Sequence, residues 1–465
     1  MTDAFDENRH QFHPTLLREY DVRGIVGETL FSADAYHLGR AFASRVRGEG
    51  GNTLCVGRDG RISSPELCRA LVDGLTAGGC QVADIGCGPT PMLYYVAKTR
   101  SAAGGVMVTG SHNPPDHNGF KMVLEGRPFF GEEIQDLGRL AAAGDYAAGA
   151  GRAMPLSVAD EYCRRLLLDY DGVRPLRVVW DVGNGATGEL VTALTSHLPG
   201  RHEVLYATVD GHFPHHHPDP TIPENLRDLQ ARVRETHADL GLAFDGDGDR
   251  LGVVDGQGNI LWGDQILVLL AEDLLKKQPG ATIIADVKAS RVFFEETKRL
   301  GGHPLMGRTG HSLIKNLMAE TKAALAGEMS GHIFFADHYY GFDDALYAAV
   351  RLLGIVARLP AGVDLAQWRR RLPVMVNTPE IRIPCPEERK FQIIEDVKAQ
   401  LRAAGATFND LDGMRVESDD GWWLLRASNT QAVLVARCEA GDDEGLARLK
   451  AQLTEYLAPL RMKSV

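Results

Sequence analysis

Short apolar runs alternate with longer stretches of helical period along most of this chain. Thr53 to Gly57, Arg177 to Trp180 and Thr282 to Ala285 are such runs, and each leads into a loop holding glycine or aspartate. Apolar segments bounded by turn residues fit buried strands, and strands alternating with helices predict an α/β protein with mixed or parallel sheets. Three times an apolar strand enters a polar loop and a second apolar strand leaves it. Val106-Met107-Val108 precedes a serine loop and Gly119 to Leu124 follows it. Leu240 to Phe244 and Leu251 to Val254 flank an aspartate loop, and Ala323 to Ala326 and Ile333 to Ala336 flank Gly327 to His332. The recurrence predicts three related mixed-sheet α/β domains that present loops to a common central cleft.

The C-terminal part has a different texture. Glu387 to Ala404 has helical period, and Met414 to Arg437 reads as two short strands around a polar loop, which predicts a smaller α+β domain. Breaks rich in glycine, alanine or proline at Ala141 to Pro155, Gly256 to Asn259 and Leu372 to Pro386 read as linkers. They divide the chain into four domains, 1–155, 156–257, 258–371 and 372–465.

Composition narrows the class. A chain of 465 residues exceeds one ordinary core, and 44% hydrophobic with 24% charged residues describes a soluble globular protein. The net charge of -12 argues against a nucleic-acid or membrane-surface partner, so any phosphate-binding patch must be local. No apolar run reaches the ~18 residues of a membrane span, and Met1 to His13 lacks an apolar signal core. Seven scattered cysteines without a C-x-x-C pair fit a reducing cytoplasm, with neither a zinc site nor a disulfide framework.

The most constrained chemistry lies in Asp245-Gly246-Asp247-Gly248-Asp249-Arg250. The glycines permit tight curvature, so Asp245, Asp247 and Asp249 can converge, and like-charge repulsion then calls for a cation. Oxygen-only ligands favour Mg²⁺. An EF-hand is excluded, because its sixth and twelfth positions would be Arg250 and Gly256. Ser111, in Thr109-Gly110-Ser111-His112-Asn113-Pro114, is a nucleophile or a plain turn serine; no G-x-S-x-G elbow surrounds it, so a hydrolase triad is poorly supported. Lys121 can supply charge or a proton near the same loop. Glu328, Ser330 and His332 place a carboxylate, a hydroxyl and an imidazole together, suited to sugar hydroxyls or to a turn. Arg426-Ala427-Ser428-Asn429-Thr430 suits a phosphate clamp or a hairpin loop. Arg23, Arg250, Lys288 and His311 are further loop cations, each by itself more readily a surface or structural residue than a functional one. His212, His215, His216 and His217 lie in a Pro-rich loop and read as structural.

Together Tyr20-Asp21-Val22-Arg23-Gly24, Thr109 to Pro114, Asp245 to Arg250, Gly327 to His332 and Arg426 to Thr430 resemble, in order, the motifs of the α-D-phosphohexomutase superfamily. The form Gly-Glu-Met-Ser-Gly-His resembles the bacterial phosphomannomutase/phosphoglucomutase branch, whereas phosphoglucosamine mutases more often carry glutamine at Met329 and alanine at Gly248. The resemblance implies a four-domain, heart-shaped fold and an intramolecular phosphotransferase acting on mannose and glucose phosphates. It implies a phosphorylated Ser111, Mg²⁺ held by Asp245, Asp247, Asp249 and a phosphoserine oxygen, and glucose 1,6-bisphosphate as intermediate and activator. Lys121, Arg23, Arg250 and His332 are then catalytic. Tyr20, His112, Lys288, His311, Glu328, Ser330, His332, Arg426, Ser428, Asn429 and Thr430 contact substrate. A monomer or weak dimer is expected. A phosphoglucosamine mutase, a Mg²⁺-dependent sugar phosphatase and a non-catalytic sugar-phosphate sensor are the alternatives.

Overall fold

The computed structural model describes residues 9–428 and 432–458, and four β-sheets divide them. The first three sheets share one nucleus. Thr53–Arg58 lies between Gln81–Cys87 and Gly104–Val108, parallel to both, and His117–Leu124 returns antiparallel beside Gly104–Val108. Leu176–Asp181, Gly200–Leu205, Leu240–Phe244 and Leu251–Asp255 repeat that order and those directions. Thr282–Asp286, His303–Gly307, Leu325–Gly327 and Ile333–Phe335 repeat them again. In every copy the polar loop joins the third strand to its antiparallel neighbour. The internal repeat expected from the sequence is therefore a repeat of topology.

The strands entering these loops, Gly104–Val108, Leu240–Phe244 and Leu325–Gly327, are buried at every residue. Strands covered on both faces read as unbroken apolar runs, which is why they were visible in the sequence. Helix Ala345–Ala357 is buried at all its positions and forms the spine of an apolar core shared by the first three domains. A second core serves the first domain and a third the C-terminal one.

Three expected linkers carry structure. Arg152–Pro155, inside the Ala141 to Pro155 stretch, adds an edge strand to the first sheet by pairing with Gln81 to Asp84. It is exposed throughout, so no apolar alternation marks it. Gly256 to Asn259 is a hairpin turn in which the Asp255 carboxylate accepts the Gln257 and Asn259 N–H groups at 2.9 Å, and Ile260–Leu261 pairs back with Val253 and Val254. Leu372 to Pro386 holds Val376–Asn377 and Ile381–Pro384, both paired with Val433–Ala440.

The C-terminal sheet is antiparallel throughout. Between Met414 and Arg437 three strands run where two were expected, because Ser418 to Asp420 turns the chain between Met414–Glu417 and Gly421–Ala427 before Val433–Ala440 begins. This domain docks on the third through two buried arginines. Arg415 donates to the carbonyls of Val287 and Ala289 at 2.8 and 2.7 Å, and Arg437 to that of Lys288 at 2.6 Å. Their guanidinium carbons lie 3.8 and 5.7 Å from the Trp422 ring centroid. Among the described residues no helix is long and apolar enough to cross a membrane.

Candidate active site

Ser111 sits at the tip of the first repeat's loop. It is 2% exposed and adopts φ +50°, a left-handed conformation that a non-glycine residue reaches only when its surroundings enforce it. Asp59 and Arg61 do the enforcing. Asp59 accepts Thr109 Oγ1 at 2.8 Å and the Gly110 N–H at 3.1 Å, and Thr109 Oγ1 accepts the Ser111 N–H at 2.8 Å. Arg61 donates to the carbonyls of Ser111 and Asn113, both at 2.6 Å, and to those of Pro114 and His117 at 2.5 and 3.0 Å. A Cβ on Gly110 would lie 2.4 Å from Arg61 Nε, so the glycine leaves room for the guanidinium. From the second domain, His217 donates to the His112 carbonyl, while His216 and His215 bond Asp181 and Asn184 at 3.0 and 2.8 Å.

The aspartate loop meets this tip directly. Asp245, Asp247 and Asp249 are fully buried, with one oxygen of each within 4.8 Å of the others, and Ser111 Oγ lies 3.1 Å from Asp245 Oδ2. Gly246 makes the approach possible, since a Cβ there would lie 2.5 Å from the Ser111 carbonyl oxygen. Burial, then Asp249 and Asp247, push the Asp245 carboxyl well above its ordinary value. Lys121 Nζ bonds Asp247 and Asp249 at 2.7 and 2.5 Å. Burial opposes the Asp249 charge, but Lys121 and His332 more than offset it and hold that carboxyl well below the usual range. Asp247 Oδ1 is buried with no hydrogen-bond partner. Three convergent carboxylates and one unsatisfied oxygen fit a hard divalent cation such as Mg²⁺.

The third repeat's loop closes the far side. Arg250 and His332 form an isolated antiparallel bridge, joining the aspartate loop to Gly327–His332. His332 bonds Asp249 at 3.2 Å and Glu328 at 2.9 Å, and Ser330 Oγ lies 3.1 Å from its Nδ1. Burial opposes its protonation, yet Asp249 and Glu328 raise His332 to about 9. Glu328 also accepts the Gly310 N–H at 2.7 Å and, despite burial, is held at about 2 by His332 and Lys288. His311 bonds Asp343 at 3.0 Å and stacks on His332 at 5.5 Å. Burial and then Arg250 and Arg23 push His112, 3.1 Å from Ser111 Oγ, well below its ordinary value.

The remaining expected residues surround this centre. Arg23 donates to Asn113 Oδ1 at 3.1 Å, beside the serine loop, and pairs with Asp21. Tyr20 donates to the Thr309 carbonyl at 3.1 Å, and the Thr309 N–H donates to Asp412 at 3.0 Å. Asp412 holds Arg426 Nε at 2.9 Å, so the first, third and fourth domains meet at Thr309. Lys288 lies 2.9 Å from Glu380. The Ser428 N–H pairs with the Val433 carbonyl, and its own carbonyl accepts from the buried Lys390 at 2.6 Å. Asn429 and Thr430 lie outside the described residues. Sequence reasoning missed Asp59, Arg61, Asp343, Lys315 and Lys390. A signal existed for the first two, since Arg58-Asp59-Gly60-Arg61 follows an apolar strand as the other loops do.

The comparisons with known proteins agree with this geometry. The chain matches phosphoglucomutase/phosphomannomutase alpha/beta/alpha domain I over residues 14–147, domain II over 160–258, domain III over 262–374 and the C-terminal domain over 380–455. It is 46% identical over 443 residues to a phosphomannomutase/phosphoglucomutase of Pseudomonas aeruginosa, covering 95% of each chain. A phosphoglucomutase of Neisseria meningitidis serogroup A is 43% identical over 441 residues, 94% of this chain and 95% of the relative. A crystal structure of a phosphoglucomutase/phosphomannomutase family protein from Burkholderia thailandensis superposes with a TM-score of 0.91 at 44% identity, over 97% of this chain and 98% of the other. With all four family domains present in order and these loops converging, the chain belongs to the phosphoglucomutase/phosphomannomutase family of phosphohexomutase enzymes.

Proposed function

We propose that this enzyme moves a phosphoryl group between C1 and C6 of glucose and mannose phosphates, with Ser111 as the carrier. The observation that carries the reading is the 3.1 Å separation of Ser111 Oγ from Asp245 Oδ2, at the mouth of the three-carboxylate cage. The dual sugar range is supported by the name of the Pseudomonas aeruginosa relative.

Phosphorylated Ser111 gives its phosphoryl group to the free hydroxyl of a hexose monophosphate, making the 1,6-bisphosphosugar. The sugar turns over in the cleft, and Ser111 Oγ takes the other phosphate. Each transfer breaks one P–O bond and forms one, so the phosphoserine is regenerated. Glucose 1,6-bisphosphate is both intermediate and activator, since it recharges a bare Ser111. Asp245, Asp247 and Asp249 would hold Mg²⁺, which would supply charge neutralisation on the transferring group. Arg23, Arg250 and Lys121 add positive field that strengthens as the cleft excludes water. Lys121 and His332 are the two groups to which proton transfer at the attacking and leaving hydroxyls is assigned. Glu328 and Ser330 read sugar hydroxyls. Arg426, Ser428, Asn429 and Thr430 grip the phosphate that does not react, with Tyr20, His112, Lys288 and His311 along the substrate's path. The seven unpaired thiols support a reducing cytoplasm, where the enzyme acts as a monomer or weak dimer.

Peptide mass analysis of the purified protein tests this, with one phosphate expected on the Ser111 peptide. Ser111→Ala should cut turnover by about a thousandfold while sugar-phosphate binding persists. Near-normal turnover by that variant would overturn the assignment.

A further inference from the structure

A cavity of about 600 Å³ opens between the first and third domains. No residue of the serine loop, the aspartate loop or Gly327–His332 lines it, so it is separate from the catalytic cleft. Its volume is that of a small-molecule site. Much of the wall is apolar, and Tyr94, Val123, Pro128, Met318, Tyr340 and Phe342 contribute to it.

Cations stand on both sides of this apolar space. Lys98 and Arg127 come from the first domain, and Lys315 and Lys322 from the third. Arg127 is engaged by Glu133 at 2.7 Å and Lys315 by Asp343 at 2.8 Å. Lys98 and Lys322 form no ion pair among the described residues. Two lysines from different domains, neither in an ion pair among the described residues, thus line one cavity in a chain of net charge -12. An anion in this cavity could pair with either lysine and so link the two domains, and an apolar ring body suits the remaining wall.

We infer that the cavity walled by Tyr94, Tyr340 and Phe342 and flanked by Lys98 and Lys322 is a second ligand site, for an organic phosphate carrying a flat ring, of the nucleotide class. Lys315 is the cavity's link to the catalytic cleft. Its Nζ lies 4.4 Å from the Tyr94 ring centroid, and its partner Asp343 offers an oxygen within 4.8 Å of ligand atoms of Asp249 and His332.

Calorimetry on the full-length enzyme with Mg²⁺ and saturating glucose 1-phosphate tests the inference, with GDP and UDP as probes. Saturable binding of at least one probe is expected. Pyrophosphate, which has the charge without the ring, and the free nucleosides, which have the ring without the charge, should each bind at least tenfold more weakly. Lys98→Glu and Lys322→Glu alter exposed side chains, so they should keep basal mutase activity and weaken the probe by tenfold or more. No saturable binding of either probe, loss of binding when glucose 1-phosphate saturates the catalytic cleft, pyrophosphate binding as tightly as the probes, or indifference to both charge reversals would each overturn it.

Discussion

Replacing Gly246 by alanine tests whether the serine and aspartate loops must touch as closely as they do. A Cβ at Gly246 would lie 2.5 Å from the Ser111 carbonyl oxygen, where ordinary contact begins at 3.4 Å, so the loops must part by about 0.9 Å. Neither side gives way cheaply. The Ser111 carbonyl is fixed by Arg61 at 2.6 Å, and the Gly246 carbonyl accepts the Ala186 N–H at 2.9 Å. The collision is with backbone, so no side chain can rotate to relieve it. Gly246 is not among the positive-φ residues, and alanine suits its own backbone; the effect is one of separation alone. A displacement near 1 Å between reacting group and cage costs about a hundredfold in rate, or about 2.7 kcal/mol of barrier. Overpacking costs about 1–3 kcal/mol of stability, small enough for a protein of this size to remain folded. The assay couples glucose 6-phosphate formation from glucose 1-phosphate to its dehydrogenase, with thermal unfolding measured in parallel. Gly48→Ala, where a Cβ meets nothing within 4 Å, is the comparator and should match the parent in rate. A Gly246→Ala enzyme within threefold of the parent in kcat/KM would refute the idea that this approach positions the serine.

Three other outcomes follow from the same geometry. Asp247→Asn removes one charge from the cage and should raise the Mg²⁺ concentration for half-maximal activity by about tenfold; an unchanged metal titration would remove this loop from the cation site. Arg426→Ala should weaken glucose 1-phosphate and glucose 6-phosphate alike by about tenfold, read as KM for each direction, and an effect on only one would argue against a shared clamp. Lys288 holds Glu380 at about 2, below the ordinary 4.5. The folded value is the lower one, so this contribution is complete above pH ~4.5, is lost as pH falls toward ~2, and amounts to about 3 kcal/mol. The melting temperature of Glu380→Gln should therefore trail the parent at pH 7 and approach it as the solution is acidified; a constant gap would contradict the pairing.

How much of this was legible depended on burial. The three loop-bearing units were read from the chain because their central strands are covered on both faces and leave unbroken apolar runs such as Leu240–Phe244. Arg152–Pro155 and Val376–Asn377 read as linkers in the sequence because edge strands satisfy half their backbone groups in water and need no apolar code. The serine and aspartate loops stood out because glycine, serine and aspartate are dense there. Arg61 stood out less, although it fixes the carbonyls of Ser111, Asn113, Pro114 and His117, because the only signal for it is the position of Arg58-Asp59-Gly60-Arg61 after an apolar strand. Asp343 and Lys315 were invisible for another reason: their importance comes from contacts between residues far apart in the chain, Asp343 with His311 and Lys315, which local spacing does not encode. Glu328, expected to read sugar hydroxyls, has its carboxylate bonded to the Gly310 N–H and to His332.

The attachment of the fourth domain has a consequence for operating range. Arg415 and Arg437 hold carbonyl oxygens of residues 287–289, and a peptide carbonyl neither titrates nor exchanges for chloride as a carboxylate partner does. The mooring that holds the fourth domain to the third should accordingly survive acid and brine that erode the Lys288–Glu380 contact at its margin, so that a stressed enzyme loosens at the rim while its anchor holds.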